Sequence, residues 1–135
     1  MLMEKILSYA VFAALVLGTP ASAFNGRLGY QTVAVNSSIF EVIPRGRTDA
    51  DGYWCAAADF ARRSLGAGWQ QPIYVVRGYG PSEATGRRTA VQFSITPPEG
   101  VDLNVMSNSV GFIPGQSRSV QSANGLCNRR PLFDN

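Results

Sequence analysis

Apolar and polar residues are patterned in three different ways along this chain. Ile6 to Gly18 is an uncharged, mostly apolar run. From Gly29 to Val105, short β-prone runs alternate with turn signals around one stretch of helical periodicity. Beyond Met106 the chain is rich in Ser, Asn and Gly, with Val110, Phe112 and Val120 as scattered apolar anchors.

The middle part reads as strands flanking a helix. Tyr30, Thr32, Val33 and Val35 make residues 29–35 β-prone, and Ile39 to Ile43 is a second such run, ended by Pro44. The turn signal Asn36-Ser37-Ser38 between them predicts an N-terminal hairpin. It also fits an N-x-S glycosylation pattern, relevant only in a eukaryotic secretory pathway. Ile73 to Val76 is nearly all apolar, as expected of a short central strand covered on both faces. Residues 90–96 alternate, with Val91, Phe93 and Ile95 on one face and Gln92, Ser94 and Thr96 on the other. This run is expected to pair antiparallel with 73–77, across a long loop that begins at Gly78-Tyr79-Gly80-Pro81-Ser82. Pro97-Pro98 stops it, and the alternation of Val101, Leu103 and Val105 predicts another edge strand.

The helix is expected from about Gly52 to Leu65. Asp49 or Asp51 can accept the free amide hydrogens of its first turn, and either charge complements the helix dipole. Arg62 and Arg63 fall in the last turn, and Gly66 sits where helices often end in the left-handed conformation. Tyr53, Ala57, Phe60, Ala61 and Ser64 share one face, widened by Trp54, Ala58 and Leu65. The alanines would let the helix pack closely on a sheet.

The N-terminal run changes how the rest is read. Lys5 precedes it, and Thr19-Pro20-Ala21-Ser22-Ala23 follows with a small-x-small site. That is the layout of a secretory signal peptide over residues 1–23, with cleavage expected between Ala23 and Phe24. The 13 residues from Ile6 to Gly18 fall short of the roughly 20 that a transmembrane helix needs. No later segment matches that length and apolarity, so no membrane span is expected in the mature protein. Residues 24–135 would then form one exported domain, periplasmic or extracellular. In an oxidising compartment the only two cysteines, Cys55 and Cys127, read as a disulfide.

Composition mainly excludes. The chain has no histidine, and its single lysine, Lys5, leaves with the leader. Serine or cysteine catalysis with a histidine base, Schiff-base chemistry and a Ser-Lys dyad therefore have no residues to use. Zinc normally takes Cys and His; a carboxylate-only site for a hard cation stays open, but no metal or cofactor is expected. A carboxylate pair could still act as acid and base. Of the 12 basic residues all but Lys5 are arginine, and of the nine acids only Glu4 lies in the leader, so the mature charge stays at +3. Asp59 precedes Arg62 and Arg63, Glu83 precedes Arg87, and Asp49 and Asp51 follow Arg45 and Arg47. This interspersion lacks the unbalanced stripe of a nucleic-acid binder, and no nucleic-acid partner is expected.

Two motifs fail on inspection. Asp49-Ala50-Asp51-Gly52 invites a calcium loop. With Gly52 as its sixth position, however, Arg47 and Ala58 stand where ligands are required, so helix capping is the better account. Gly78-Tyr79-Gly80 follows a strand but lacks the third glycine and the following helix of a dinucleotide loop. Glu99 with Asp102, or Asp49 with Asp59, could form an acid/base pair, though solvated surface charges explain them as well. Trp54 is expected around the disulfide.

Long loops on rigid sheets often carry binding function. The candidate binding residues are therefore Tyr79, Ser82, Thr85, Arg87 and Arg88. Trp69 joins them as either an exposed sugar-facing platform or a cover for one end of the core. The expected fold class is α+β: a single small domain with an antiparallel sheet of about four to six strands, one main α-helix on one face and one disulfide. The expected role is non-enzymatic binding or structural support, toward a protein or an anionic envelope polymer. A small carboxylate-dependent hydrolase of envelope glycans and an arginine-based binder of an anionic envelope polymer are the alternatives.

Overall fold

A computed structural model describes residues 24–46, 49–86, 89–105 and 112–128. The expected leader and its cleavage site lie outside these residues, as do Arg87 and Arg88. The strands are β1 (Phe24–Asn25), β2 (Gln31–Ala34), β3 (Ile39–Ile43), β4 (Pro72–Gly80), β5 (Ala90–Ser94) and β6 (Ser117–Ser119). The helices are α1 (Ala50–Arg63) and the short α2 (Val120–Gly125), which runs into a 3-10 turn at Leu126–Asn128. The strands form one antiparallel sheet in the order β1-β2-β3-β5-β4-β6.

The predicted hairpin is β2–β3, with Thr32 opposite Val42. Asn36 Oδ1 accepts the amides of Ser38 and Ile39 and fixes its turn. The predicted β4–β5 pair is also present, with Val75 opposite Phe93. α1 begins at the N-cap Asp49, whose carboxylate accepts the Gly52 amide at 3.1 Å. Beyond its C-cap Ser64, Gly66 is left-handed at φ +69° while the Ala67 amide reaches back to the Ala61 carbonyl. The glycine has no β-carbon to strain that turn.

One face of the sheet packs on α1. Phe40, Val42, Val75, Val91 and Phe93 meet Tyr53, Trp54, Ala57, Phe60 and Ala61 in a single core. Every residue from Gly52 to Ala61 is buried, not one stripe of them. α2 and the 126–128 turn supply the second cover, and Val120, Ala123 and Leu126 join the core from there. The Cys55–Cys127 disulfide ties this C-terminal segment to the middle of α1.

Three local expectations are corrected. Val101 to Val105 is not a strand: Asp102 Oδ1 accepts the Asn104 amide in a turn. The sheet edge beside β4 is held instead by Ser117–Ser119, whose serines gave no β signal. Gly78 to Gly80 belongs to β4, not to the loop. β5 accepts the strand through two register shifts, and Gly80 pairs with Ala90, so cross-strand bonding overrides the local glycine signal. Residues 112–128 are also less weakly structured than their composition implies. Ser119 Oγ accepts the Ser122 amide and caps α2.

Candidate functional site

The outer face of the sheet, away from α1, carries Val33, Glu41, Ile43, Gln92 and Ser94, all buried. Val33, Ile43 and Ala90 form a small separate apolar cluster. Within the central strand sequence Ile39-Phe40-Glu41-Val42-Ile43, the carboxylate of Glu41 is wholly inaccessible. Oε1 accepts the Ser82 hydroxyl at 2.6 Å and the Ala84 amide at 3.3 Å. Oε2 accepts the Glu83 amide at 2.8 Å and the Gln92 side-chain amide at 3.0 Å. Ser82 Oγ in turn accepts the Ala84 and Thr85 amides. The loop after β4 is therefore wrapped around an internal anion. Burial alone would push the Glu41 carboxyl up, but the four donated hydrogen bonds outweigh it and hold it below its ordinary value.

This arrangement bears on the catalytic alternative. Gln92 Nε2 also reaches Glu83 Oε2 at 3.2 Å, so the two carboxylates lie within about 6 Å of each other. That is near the spacing of a glycosidase pair. However, Glu41 faces no solvent and both its oxygens are taken by donors, so it can neither attack nor shuttle a proton. Asp49 and Asp59 lie ten residues apart on α1, roughly 15 Å along its axis, and cannot act together. Asp59 is not a solvated surface charge. It is 1% exposed and accepts Arg63 at 3.1 Å. Among the described residues no group of three or more Cys, Asp or Glu could hold a metal ion.

The candidate binding residues separate into two regions. Tyr79 is half exposed and packs edge-on against Tyr53 and Phe112, near the start of α1. Burial and the Asp49 charge both raise its hydroxyl pKa. Ser82 is buried on Glu41, and Thr85 lies exposed in the same loop. Trp69 lies near the other end of α1. Tyr79 touches Tyr53 and Trp69 touches Arg62, nine residues further along the helix, which separates them by roughly 14 Å along its axis.

Trp69 does not cover an end of the core; it is 46% exposed. Its setting is nonetheless fixed. The Arg62 guanidinium lies 4.1 Å from the ring centroid. The Trp69 carbonyl accepts the Gln121 amide and the Gln71 carbonyl accepts the Val120 amide, both at 2.9 Å, so the 68–71 turn is pinned to the start of α2. Gln70 Nε2 donates to Gln121 Oε1 at 3.1 Å beside it, and Leu65 is exposed nearby in sequence. Among the described residues no carboxylate pairs with Arg62, whereas Arg63 is held by Asp59. On β6, Arg118 lies over the Trp54 ring, whose indole is buried against Phe93 and Phe112. Arg118 donates only weakly to Ser122, and its buried Nε has no acceptor.

A groove of about 390 Å³ opens on the outer face at the end not covered by the loop. β3, β4 and β5 contribute Ile39, Val76 and Ser94; the turn after β5 contributes Thr96, Pro97, Pro98 and Glu99; Ser38 comes from the β2–β3 turn.

Sequence reasoning missed Glu41. The available signal was a lone acid in the middle of an apolar strand, which must meet donors if that strand is central. It also missed Arg118, which lies over Trp54 of α1 and donates to Ser122 of α2, a helix that composition did not reveal. No family model, curated protein or solved structure matches this chain. Among the described residues no helix is long and apolar enough to cross a membrane. The disulfide is compatible with an extracytoplasmic location.

Proposed function

We propose that this is an exported, non-enzymatic binding domain that holds an anionic envelope polymer against Trp69 and Arg62. The observation that carries the reading is Trp69 itself, a half-exposed indole on a turn bonded to α2 and stacked by a guanidinium that has no carboxylate partner among the described residues. A rigid aromatic loses little entropy on binding and offers a flat apolar face. Arg62 adds a planar, permanently charged fork suited to carboxylate, sulfate or phosphate. The Gln70 and Gln121 amides beside them suit the hydroxyls of a polysaccharide. Arg118, at the approach to α2, adds a second cation without a carboxylate partner among the described residues. The absence of His and mature Lys, and the occupied oxygens of Glu41, favour binding over catalysis.

The test is calorimetric titration with polygalacturonate at low and high salt, with neutral dextran as the control. Polygalacturonate should bind and dextran should not, and the affinity should fall steeply with salt. Trp69→Ala should weaken binding about ten-fold, the scale of one good aromatic contact. Equal binding of the two polymers, or an unaffected Trp69→Ala, would reject the reading. Export has its own test: the secreted protein should begin at Phe24 by mass spectrometry.

A further inference from the structure

We infer that the groove on the outer face is a second, independent binding site, and that it takes a small organic cation with an apolar body. It lies across the sheet from α1, so it does not depend on Trp69.

The outer face is divided into two parts. At one end, the loop after β4 is anchored on Glu41, and Val33, Ile43 and Ala90 form a buried cluster. At the other, Ile39 and Val76 are only partly covered, and the space above them is the groove. Its base is rigid, because Ile39 and Ser94 are directly opposed in the β3–β5 ladder and Val76 falls where the β4–β5 register shifts. Pro97 and Pro98 fix the backbone φ of the bordering turn. A volume of about 390 Å³ falls within the roughly 300–1,000 Å³ of small-ligand clefts.

The polar groups select the ligand. Ser94 and Thr96 share a hydrogen bond at 3.0 Å, and Ser94 Oγ also accepts the Thr96 amide, so these hydroxyls are largely committed to each other. Among the described residues Glu99 is the only charged one of the lining, and none of them pairs with it. In a chain with a net charge of +3, the groove contains a carboxylate and no arginine. An anionic ligand would meet an unshielded like charge. A neutral apolar one would leave the carboxylate unused. An alkylammonium or arylammonium ion satisfies both the apolar strand residues and the charge.

The experiment is an NMR titration of the exported protein with hexylammonium, hexanol and hexanoate. Hexylammonium should shift Ile39, Val76, Ser94, Thr96 and Glu99, and bind about two- to five-fold tighter than hexanol, the range of an exposed ion pair. Hexanoate should bind more weakly than hexanol. Glu99→Gln should equalise hexylammonium and hexanol without changing the hexanol affinity. Thr96→Trp, at an exposed position of the lining, should block all three. Trp69→Ala should leave the groove shifts intact, which separates this site from polymer binding. Shifts centred away from the groove, equal binding of hexylammonium and hexanoate, or a Glu99→Gln variant that keeps its preference for hexylammonium would overturn the assignment.

Discussion

The Ser82 hydroxyl donates to Glu41 at 2.6 Å across 41 residues of chain and, with the Glu83 and Ala84 amides, holds the start of the loop after β4 on the sheet. The loop is held by a buried charge, so its attachment depends on pH. Folding lowers the carboxyl pKa below its ordinary 4.5. The stability Glu41 contributes is therefore complete above that unfolded value and is lost as pH falls through the lower native one. Glu41→Gln turns one acceptor oxygen into a donor facing other donors, and should cost about 2–3 kcal/mol at pH 7. The gap between the melting temperatures of wild type and variant should narrow as pH falls below 4.5. A gap that stays constant from pH 7 to pH 3 would refute this.

Tyr53 gives the opposite sign. Its hydroxyl donates to the Thr89 carbonyl at 2.6 Å, and burial, partly offset by the Thr89 side chain, pushes its pKa from 10.0 up to about 12. A raised pKa means stability that is complete below pH 10 and is lost between there and 12. Tyr53→Phe should cost about 1 kcal/mol at neutral pH and should flatten the alkaline loss. Urea unfolding at pH 8 and pH 11 measures both effects.

Gly52 is a helix-interior glycine that cannot be improved. A β-carbon there would lie 2.6 Å from Tyr30 Cε2 and Cζ. The ring has no room to retreat, being buried edge-on against Tyr53, and its hydroxyl donates to the Asp49 carbonyl. Gly52→Ala should destabilise by about 1–3 kcal/mol through overpacking, although the helix propensity gain is about 1 kcal/mol. Gly125→Ala, where a β-carbon would meet nothing, should be neutral or gain up to about 1 kcal/mol. Equal effects at the two sites would count against this account.

The disulfide closes a separation of 72 residues. Replacing Cys55 and Cys127 with alanine should cost about 4 kcal/mol in the loop-entropy model. The loss should be felt first at α2, whose own buried side chains are few. Hydrogen exchange should show faster opening of Val120 to Leu126 than of β3 and β5.

Trp69→Ala should change stability by less than about 1 kcal/mol, because the indole is half exposed. Its effect on polymer binding, if present, is then not an unfolding artefact. Thermal melts run beside the binding titrations check this.

Much of the frame was legible in the sequence because it depends on local chemistry. The hairpin follows from β-prone runs around Asn36-Ser37-Ser38, α1 from Asp49 and Gly66 at its ends, and the β4–β5 pairing from two apolar runs in succession. Two cysteines in a short chain with a leader-like N-terminus point to one bridge. The candidate site was less legible. Whether Trp69 covers the core or faces solvent depends on how the 68–71 turn docks on α2, a helix whose serine and asparagine content conceals it until Val120, Ala123 and Leu126 meet α1.

The sequence by itself determined the α+β class, the disulfide and the poverty of reactive groups, since propensity, spacing and residue type are properties of neighbours along the chain. The tertiary structure alone decided that Glu41 is an internal anchor, that Asp59 is buried on Arg63, that the edge of β4 goes to Ser117–Ser119, and that one end of the outer face stays open as a groove. Each of these depends on which groups far apart in the chain meet, or on how fully packing removes water, and neither is set by a residue's neighbours in sequence.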